Sequence, residues 1–280
     1  MSNCAFNYSG SKSDYSELHV IDEPVVDLFG GGGGFWSMSR SLDIVVNDQN
    51  VQLVSFQKLI HKISDANFEE LVSKLYELTD AINSRSDYEE LRSRLNHTQN
   101  PVLFMAVLAC CTNNMIRYNK SGGFNQTWGK RKFNHNMDRK LRDFRDRIIG
   151  KDVKFSHYDF RLVPNMTDML YFVDPPYLIT SGGYNTSWSE GDEYDLYNYL
   201  VGKRFLLTNF IVKGSMYNEI LADAIKHYGW SRMNLRDGKM RAQRDRDQSY
   251  VELLVADSDE TMSKVFPDNN DKPKQDGDKQ

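Results

Sequence analysis

Four consecutive residues, Asp174-Pro175-Pro176-Tyr177, follow the apolar run Tyr171-Phe172-Val173. Consecutive prolines stop a strand and fix φ, so the side chains and carbonyls of this tetrapeptide are held in a rigid arrangement. The Asp174 carboxylate and the Pro175 carbonyl both accept hydrogen bonds. Together they can receive both hydrogens of one amino group. Tyr177 offers an aromatic face to a planar base. An exocyclic amine is a poor nucleophile because its lone pair is delocalised into the ring. Two acceptors pulling on its N–H bonds localise that lone pair and aim it. The competing reading is a plain turn with a packed tyrosine.

A second chemical signal lies near the N-terminus. The run Pro24 to Phe29 leads through Asp27, Leu28 and Phe29 into five glycines, Gly30 to Gly34. Without Cβ atoms a backbone can pass close to a ligand and aim its N–H groups at negative charge. No Gly-Lys-Ser/Thr follows, so this is not a P-loop. The dinucleotide register from Gly30 and Gly32 fails at Phe35. A flexible surface loop is an equal alternative for the glycines alone. Asp48, about 20 residues on and at the end of the next apolar run, strengthens the ligand reading, because an acid there can bind both ribose hydroxyls of a nucleoside. Its alternative is a helix N-cap or turn residue.

These residues need a frame. Pro24 to Phe29, Leu42 to Val46, Met169 to Val173, Arg204 to Thr208 and Tyr250 to Val255 read as strands, and Phe35 to Ser41 as a helix after the glycines. Val51 to Leu95 has helical spacing, and Pro101 to Met115 reads as a buried helix. Strands alternating with helices predict a mostly parallel α/β sheet interrupted by a helical insertion. The segment after about Ser258 is polar, with little to bury, and is expected to be disordered.

The 280 residues carry 35 Lys+Arg and 39 Asp+Glu, a formal charge of −4. That near-neutral sum hides a division. Asn113 to Lys154 holds twelve bases and four acids, a net +8, and Asp257 to Gln280 a net −3. A basic block points to nucleic acid or another polyanion. The alternative is a solvated helix face, because Arg139, Lys140, Arg142, Arg145 and Arg147 alternate with Asp138, Asp143 and Asp146. Three cysteines exclude a disulfide scaffold, the histidines lack metal-ligand spacing, and no metal is expected. The longest apolar run, Pro101 to Cys111, is too short to cross a bilayer, and a signal-peptide pattern is lacking. The expected setting is a reducing cytoplasm without membrane association.

In this order the motifs resemble the Dam-type (D12 class) adenine-N6 DNA methyltransferases, and look closest to those of T-even bacteriophages. The resemblance runs from about Phe6 to about Val255. It rests on Asn7-Tyr8-Ser9-Gly10-Ser11-Lys12, the Asp27-Leu28-Phe29-Gly turn, Asn47-Asp48, Asn114-Met115-Ile116-Arg117, Phe124 with Gly129-Lys130-Arg131, and Phe172 to Thr180 with Tyr184-Asn185 and Trp188-Ser189-Glu190. Where the family often has Thr-Pro-Phe-Gly, this chain has Thr127-Trp128-Gly129.

The resemblance implies a Rossmann-like, seven-stranded methyltransferase core that uses S-adenosyl-L-methionine. Residues 1–55 would form the cofactor half, 56–149 a helical target-recognition insertion, 150–257 the catalytic half and 258–280 the disordered tail. It places Asp174, Pro175, Pro176 and Tyr177 in catalysis. Tyr8, Lys12, Asp27, Phe29, Gly30, Gly32, Asp48, His157, Tyr158 and Asp174 would hold the cofactor. Arg92, Met115, Arg117, Asn119, Lys130, Arg131, Lys132, Tyr184 and Ser189 would meet DNA, with Arg131 reading guanine and its lysine neighbours gripping phosphate. Residue types alone allow blander roles: a solvated Lys12, core aromatics at His157, Tyr158 and Tyr184, a surface Arg92 and a core Met115. The implied substrate is an adenine flipped from duplex DNA, in GATC, acted on by a monomer or weak dimer. The implied setting is a phage-encoded or restriction-modification enzyme in a bacterial cytoplasm. Two rival readings are an amino methyltransferase acting on RNA or protein, and a catalytically silent protein that masks DNA sites.

Overall fold

The computed structural model describes residue 8 and residues 10–179, 188–239 and 248–267. In chain order these residues form β1 (Val25–Asp27), β2 (Asp43–Asn47), α1 (Val51–Lys62), α2 (Asp65–Asp80), α3 (Arg85–Thr98), α4 (Pro101–Cys110), α5 (His135–Ile148) and β3 (Asp152–Ser156). There follow β4 (Leu170–Val173), α6 (Glu190–Leu200), β5 (Phe205–Lys213), β6 (Met216–Tyr217), α7 (Glu219–Tyr228), β7 (Ser231–Lys239), β8 (Ser249–Ala256) and α8 (Asp259–Ser263). The fold is mixed α/β. Eight strands are present where the resemblance implies seven; the additional one, β6, is a two-residue strand against the end of β5.

Two compact units divide the chain: residues 1–22 with 29–163, and residues 23–28 with 164–280. Residues 56–149 lie in the unit that contains the glycine turn. In that unit β2 and β3 pair in parallel, with Ile44 opposite Val153 and Val46 opposite Phe155. Helix α4 is apolar all round and buried from Leu103 to Cys110, which suits it to the centre, and α1, α2 and α3 pack on it. The helix starts are written in the sequence. Asn50, Ser64 and Asn100 cap α1, α2 and α4, with Pro101 opening α4, and Ser84 and Asp87 form a capping box on α3.

In the second unit the strand order is β1-β4-β5-β8-β7. The pairs β1/β4 and β4/β5 are parallel, and β5/β8 and β8/β7 antiparallel. All four residues of β4 are buried, as expected of a parallel strand covered on both faces.

Three local expectations change. Residues Phe35 to Ser41 make turns, not a helix. Ser37 Oγ donates to Gly33 O at 2.6 Å and Ser39 Oγ to Trp36 O, so these hydroxyls occupy the carbonyls of their own turn, while Trp36 is buried edge-on against Phe144 and Phe155. Strands β3 and β7 are additional to the expected ones: β3 is a five-residue run with two apolar residues, Val153 and Phe155, and β7 is polar and has no buried residue. The segment expected to be disordered begins with α8, capped by Ser258, and Met262 and Val265 are buried; residues 268–280 lie outside those described. No helix among the described residues is long and apolar enough to cross a membrane.

Candidate active site and recognition hairpin

In the first unit the glycine turn leaves the chain beside the end of β2. Gly30 N donates to Asn47 O at 2.7 Å, and a Cβ on Gly30 would lie 2.5 Å from Val46 Cγ1. The next peptide is held from both sides. Gly31 N donates to Asp48 Oδ2 at 2.8 Å, and Gly31 O accepts from Gln57 Nε2 of α1 at 2.7 Å. Gly31 has φ +47°, a left-handed conformation natural to glycine. Asp48 also accepts from Asn50 N at 2.8 Å, so it is a turn residue and a clamp on the glycines together. Burial raises its carboxyl above the ordinary value, and the two amides oppose that shift. A carboxylate has about four lone-pair sites, so two amides orient it without exhausting it.

Several expected cofactor residues gather around this turn. Tyr8 lies against it, since a Cβ on Gly32 would fall 2.6 Å from Tyr8 Cβ. Lys12 is buried, not solvated, and its ammonium donates to Gly10 O at 3.2 Å. His157 and Tyr158 are exposed, not core residues. Asn47 holds their loop to the end of β2: Nδ2 donates to Tyr158 O at 3.0 Å, and Oδ1 accepts from Tyr158 N at 2.9 Å. Phe29 packs on Phe160, with ring centroids 5.6 Å apart. Asp27 is buried at the end of β1 in the second unit.

The basic segment of the first unit is an irregular hairpin after α4. Cys111 pairs antiparallel with Trp128, and Tyr118 with Phe124. Gly129 closes its base: its N–H donates to Cys110 O at 2.9 Å, and a Cβ there would lie 2.6 Å from Cys111 O. Arg131 is exposed, and Nη1 donates to Asn114 Oδ1 at 3.2 Å. Asn114 is itself buried and fixed by donating to Leu108 O and Ala109 O. Arg117 and Lys130 are exposed and Met115 is half-buried. The other expected DNA residues have structural work. Arg92 Nη1 donates to Gln126 O at 3.1 Å, bracing the hairpin from α3. Lys132 Nζ donates to Asp80 O at 2.9 Å at the end of α2. Asn119 Oδ1 accepts from Ser121 N and Gly123 N, closing the hairpin tip. Much of the charge on α5 is also met internally: Arg142 pairs with Glu69 and Asp138, and Arg145 with Asp65.

The second unit carries the tetrapeptide, directly after β4. Asp174 Oδ1 accepts from Thr208 Oγ1 of β5 at 2.8 Å and lies 2.9 Å from the Tyr177 hydroxyl. That hydroxyl also lies 2.6 Å from Glu252 Oε1 of β8. The Tyr177 ring meets Phe210 edge-on at 4.7 Å. Pro175 is buried and Pro176 half-buried. Asp174 therefore sits at the carboxyl end of a parallel strand with its orientation fixed by two neighbours, the arrangement that a hydrogen-bond acceptor for an amine requires. Ser189 caps α6 in a capping box with Asp192. Tyr184 lies outside the described residues.

Thr208, Glu252, Gln57 and Glu193 were not identified from sequence. A lone acid within Tyr250 to Val255, an otherwise apolar strand, was the available signal for Glu252. Glu193 is fully buried, accepts from Asn209 Nδ2, and has its carboxyl raised by burial. Its hydrogen bonds to Trp188 and to the backbone of Leu178 flank the stretch 180–187. Gln57 carried no signal, because only its position on α1 brings it to Gly31.

Comparison with known proteins adds the following. The family model for D12 class N6 adenine-specific DNA methyltransferases matches residues 8–236. The modification methylase LlaI of Lactococcus lactis subsp. lactis is 24% identical over 247 residues, covering 80% of this chain and 39% of that protein. Two further modification methylases are matched over 33% and 34% of their lengths, so the chain spans little more than a third of these relatives. The retron Ec67 DNA adenine methylase of Escherichia coli is 28% identical over 204 residues, 69% of this chain and 70% of that protein. Among solved structures, P. horikoshii TYW2 in complex with MeSAdo matches 90% of this chain and 66% of its own at 10% identity, with a TM-score of 0.37.

Proposed function

The chain belongs to the D12 class of N6 adenine-specific DNA methyltransferases, and from that premise we propose that it methylates N6 of an adenine turned out of duplex DNA, within GATC, using S-adenosyl-L-methionine. The observation that carries the reading is the Asp174 carboxylate, oriented by Thr208 and Tyr177 beside the Pro175 carbonyl at the end of β4.

S-adenosyl-L-methionine supplies a sulfonium-borne methyl group already activated for displacement. The residues present fit it. Asp48 is a clamped acceptor for ribose hydroxyls, His157 and Tyr158 are exposed beside the same strand end for its adenine, and the buried Lys12 ammonium suits its carboxylate. Asp174 and the Pro175 carbonyl accept the two hydrogens on N6, which localises the nitrogen lone pair, and the Tyr177 ring bounds the base. Positioning then supplies most of the acceleration. An amine stacked inside a duplex cannot reach such a corner, so the base must leave the stack.

The test is transfer of a labelled methyl group by the full chain to duplex DNA with and without GATC, to RNA and to protein. Label in N6-methyladenine of the GATC duplex is expected. Label confined to RNA or protein, or none, would overturn the reading.

Recognition is assigned to the hairpin. A bidentate contact from arginine to guanine O6 and N7 is worth about 1–3 kcal/mol against a wrong base. Arg131→Ala is therefore expected to lower discrimination at one position of the site by about tenfold or more. Lys130→Ala is expected to weaken binding to all duplexes alike and to reduce the salt slope by about one. Affinities for substituted duplexes at two salt concentrations separate these outcomes.

A further inference from the structure

We propose that Glu252 is a positioning residue for methyl transfer: it holds the Tyr177 hydroxyl, and so sets how strongly Asp174 accepts the hydrogens of the target amine. The inference rests on the function proposed above.

Glu252 lies in β8, opposite Phe210 of β5 and Arg236 of β7, where both ladders shift register. It is 4% exposed, and the four residues after it in the strand are all buried. A carboxylate so placed is costly unless it is hydrogen-bonded. Its Oε1 lies 2.6 Å from the Tyr177 hydroxyl, and that hydroxyl lies 2.9 Å from Asp174 Oδ1.

A phenol has one hydrogen and cannot donate it fully to two carboxylates. Burial first, and then the charges of Asp174 and Glu252, raise the ionisation of Tyr177 well above its ordinary value, so the hydrogen stays on the phenol. The shorter contact draws that hydrogen partly toward Glu252, so the phenol orients Asp174 Oδ1 through a weaker hydrogen bond than an unshared hydroxyl would make. Asp174 Oδ1 then keeps more of its lone-pair density, and the whole carboxylate remains the stronger acceptor for N6. Phe210 holds the phenol ring edge-on, and Thr208 keeps Asp174 in place, so the hydrogen can shift between its two acceptors without the oxygens moving. A neutral acceptor at position 252 pulls less on the phenol. The hydrogen then moves further toward Asp174, which becomes the weaker acceptor.

The test is a double-mutant cycle of Glu252→Gln and Tyr177→Phe on the full chain, read as kcat, KM and Tm. Glu252→Gln is expected to lower kcat about tenfold, the effect of one hydrogen bond on a barrier, with KM for DNA and for S-adenosyl-L-methionine unchanged. In the Tyr177→Phe background the same substitution is expected to leave kcat unchanged, because the hydrogen through which it acts is gone. A purely structural Glu252 would lower Tm and activity equally in both backgrounds, and that result would overturn the proposal. Wild-type kcat in Glu252→Gln would also overturn it. Glu252→Asp keeps the charge and withdraws the oxygen, so it gives the same reading if the glutamine variant does not fold. Absence of transfer by the unaltered chain would instead overturn the functional reading, and this inference with it.

Discussion

Asp174→Ala is expected to lower the rate of methyl transfer by on the order of 10²–10³-fold, the usual loss when one oriented polar group is removed from a transition state. The nitrogen of the target amine gains positive charge as its new bond forms. A carboxylate accepting its hydrogens is therefore worth more at the transition state than in the bound complex, so the loss falls on kcat and not on KM. Asp174 is half-buried at the end of β4, and Oδ1 is already oriented by Thr208 and Tyr177. No rearrangement is needed to present it. Asp174→Asn keeps the shape but loses the charge and puts two donors where acceptors are required, and it is expected to fall nearly as far. Single-turnover transfer of a labelled methyl group measures both. Transfer by Asp174→Ala at the wild-type rate would remove the mechanism.

The second large effect is structural. Gly34→Ala is expected to destabilise the protein by about 1–3 kcal/mol and to abolish its thermal protection by S-adenosyl-L-methionine. A Cβ on Gly34 would meet Ser11 Oγ, and would lie 2.9 Å from Lys12 N and 3.1 Å from Ser13 N. Two of these atoms are backbone, so the turn carrying Lys12 must shift, and with it the ammonium assigned to the cofactor carboxylate. Gly191→Ala is the control. Its Cβ would meet only Ser189 Oγ at an ordinary 3.5 Å, within α6, where alanine favours the helix. Thermal unfolding of both variants, with and without S-adenosyl-L-methionine, checks the pair. An undisturbed Tm and full protection in Gly34→Ala would contradict this account of the turn.

Much of the proposed site is legible in the sequence. Rigid prolines after a buried strand, glycines after another, and an acid at the end of a third are local signals, because strand ends and turns are governed by backbone sterics. Helix caps are local in the same way, each a side chain meeting an amide two or three residues on. The basic block was only half legible. Its twelve positive charges read as one patch, but Arg142 and Arg145 meet acids of α2, some seventy to eighty positions earlier. The hairpin presents Arg117, Lys120, Lys130 and Arg131 outward, and Arg139 of α5 and Lys154 of β3 are exposed as well. The helix expected over Phe35 to Ser41 failed because serine hydroxyls and a buried tryptophan outweighed a short apolar pattern. Strand β3 is faint in the sequence because its alternation is only five residues long and carries two apolar side chains, Val153 and Phe155.

The amino-acid order by itself marked the groups to which the proposed chemistry is assigned: Asp174 to Tyr177, the glycine turn, Asp48, and the basic segment around Arg131. Tertiary structure alone decided which groups hold them. Glu252 and Thr208 reach Asp174 and Tyr177 from two other strands, Gln57 reaches Gly31 from a helix, and Asn114 steadies Arg131 across a hairpin. The reason is range. A motif is written in neighbouring residues whose backbone geometry is local, whereas a supporting hydrogen bond depends on strand pairing and helix packing that bring distant residues within 3 Å or so.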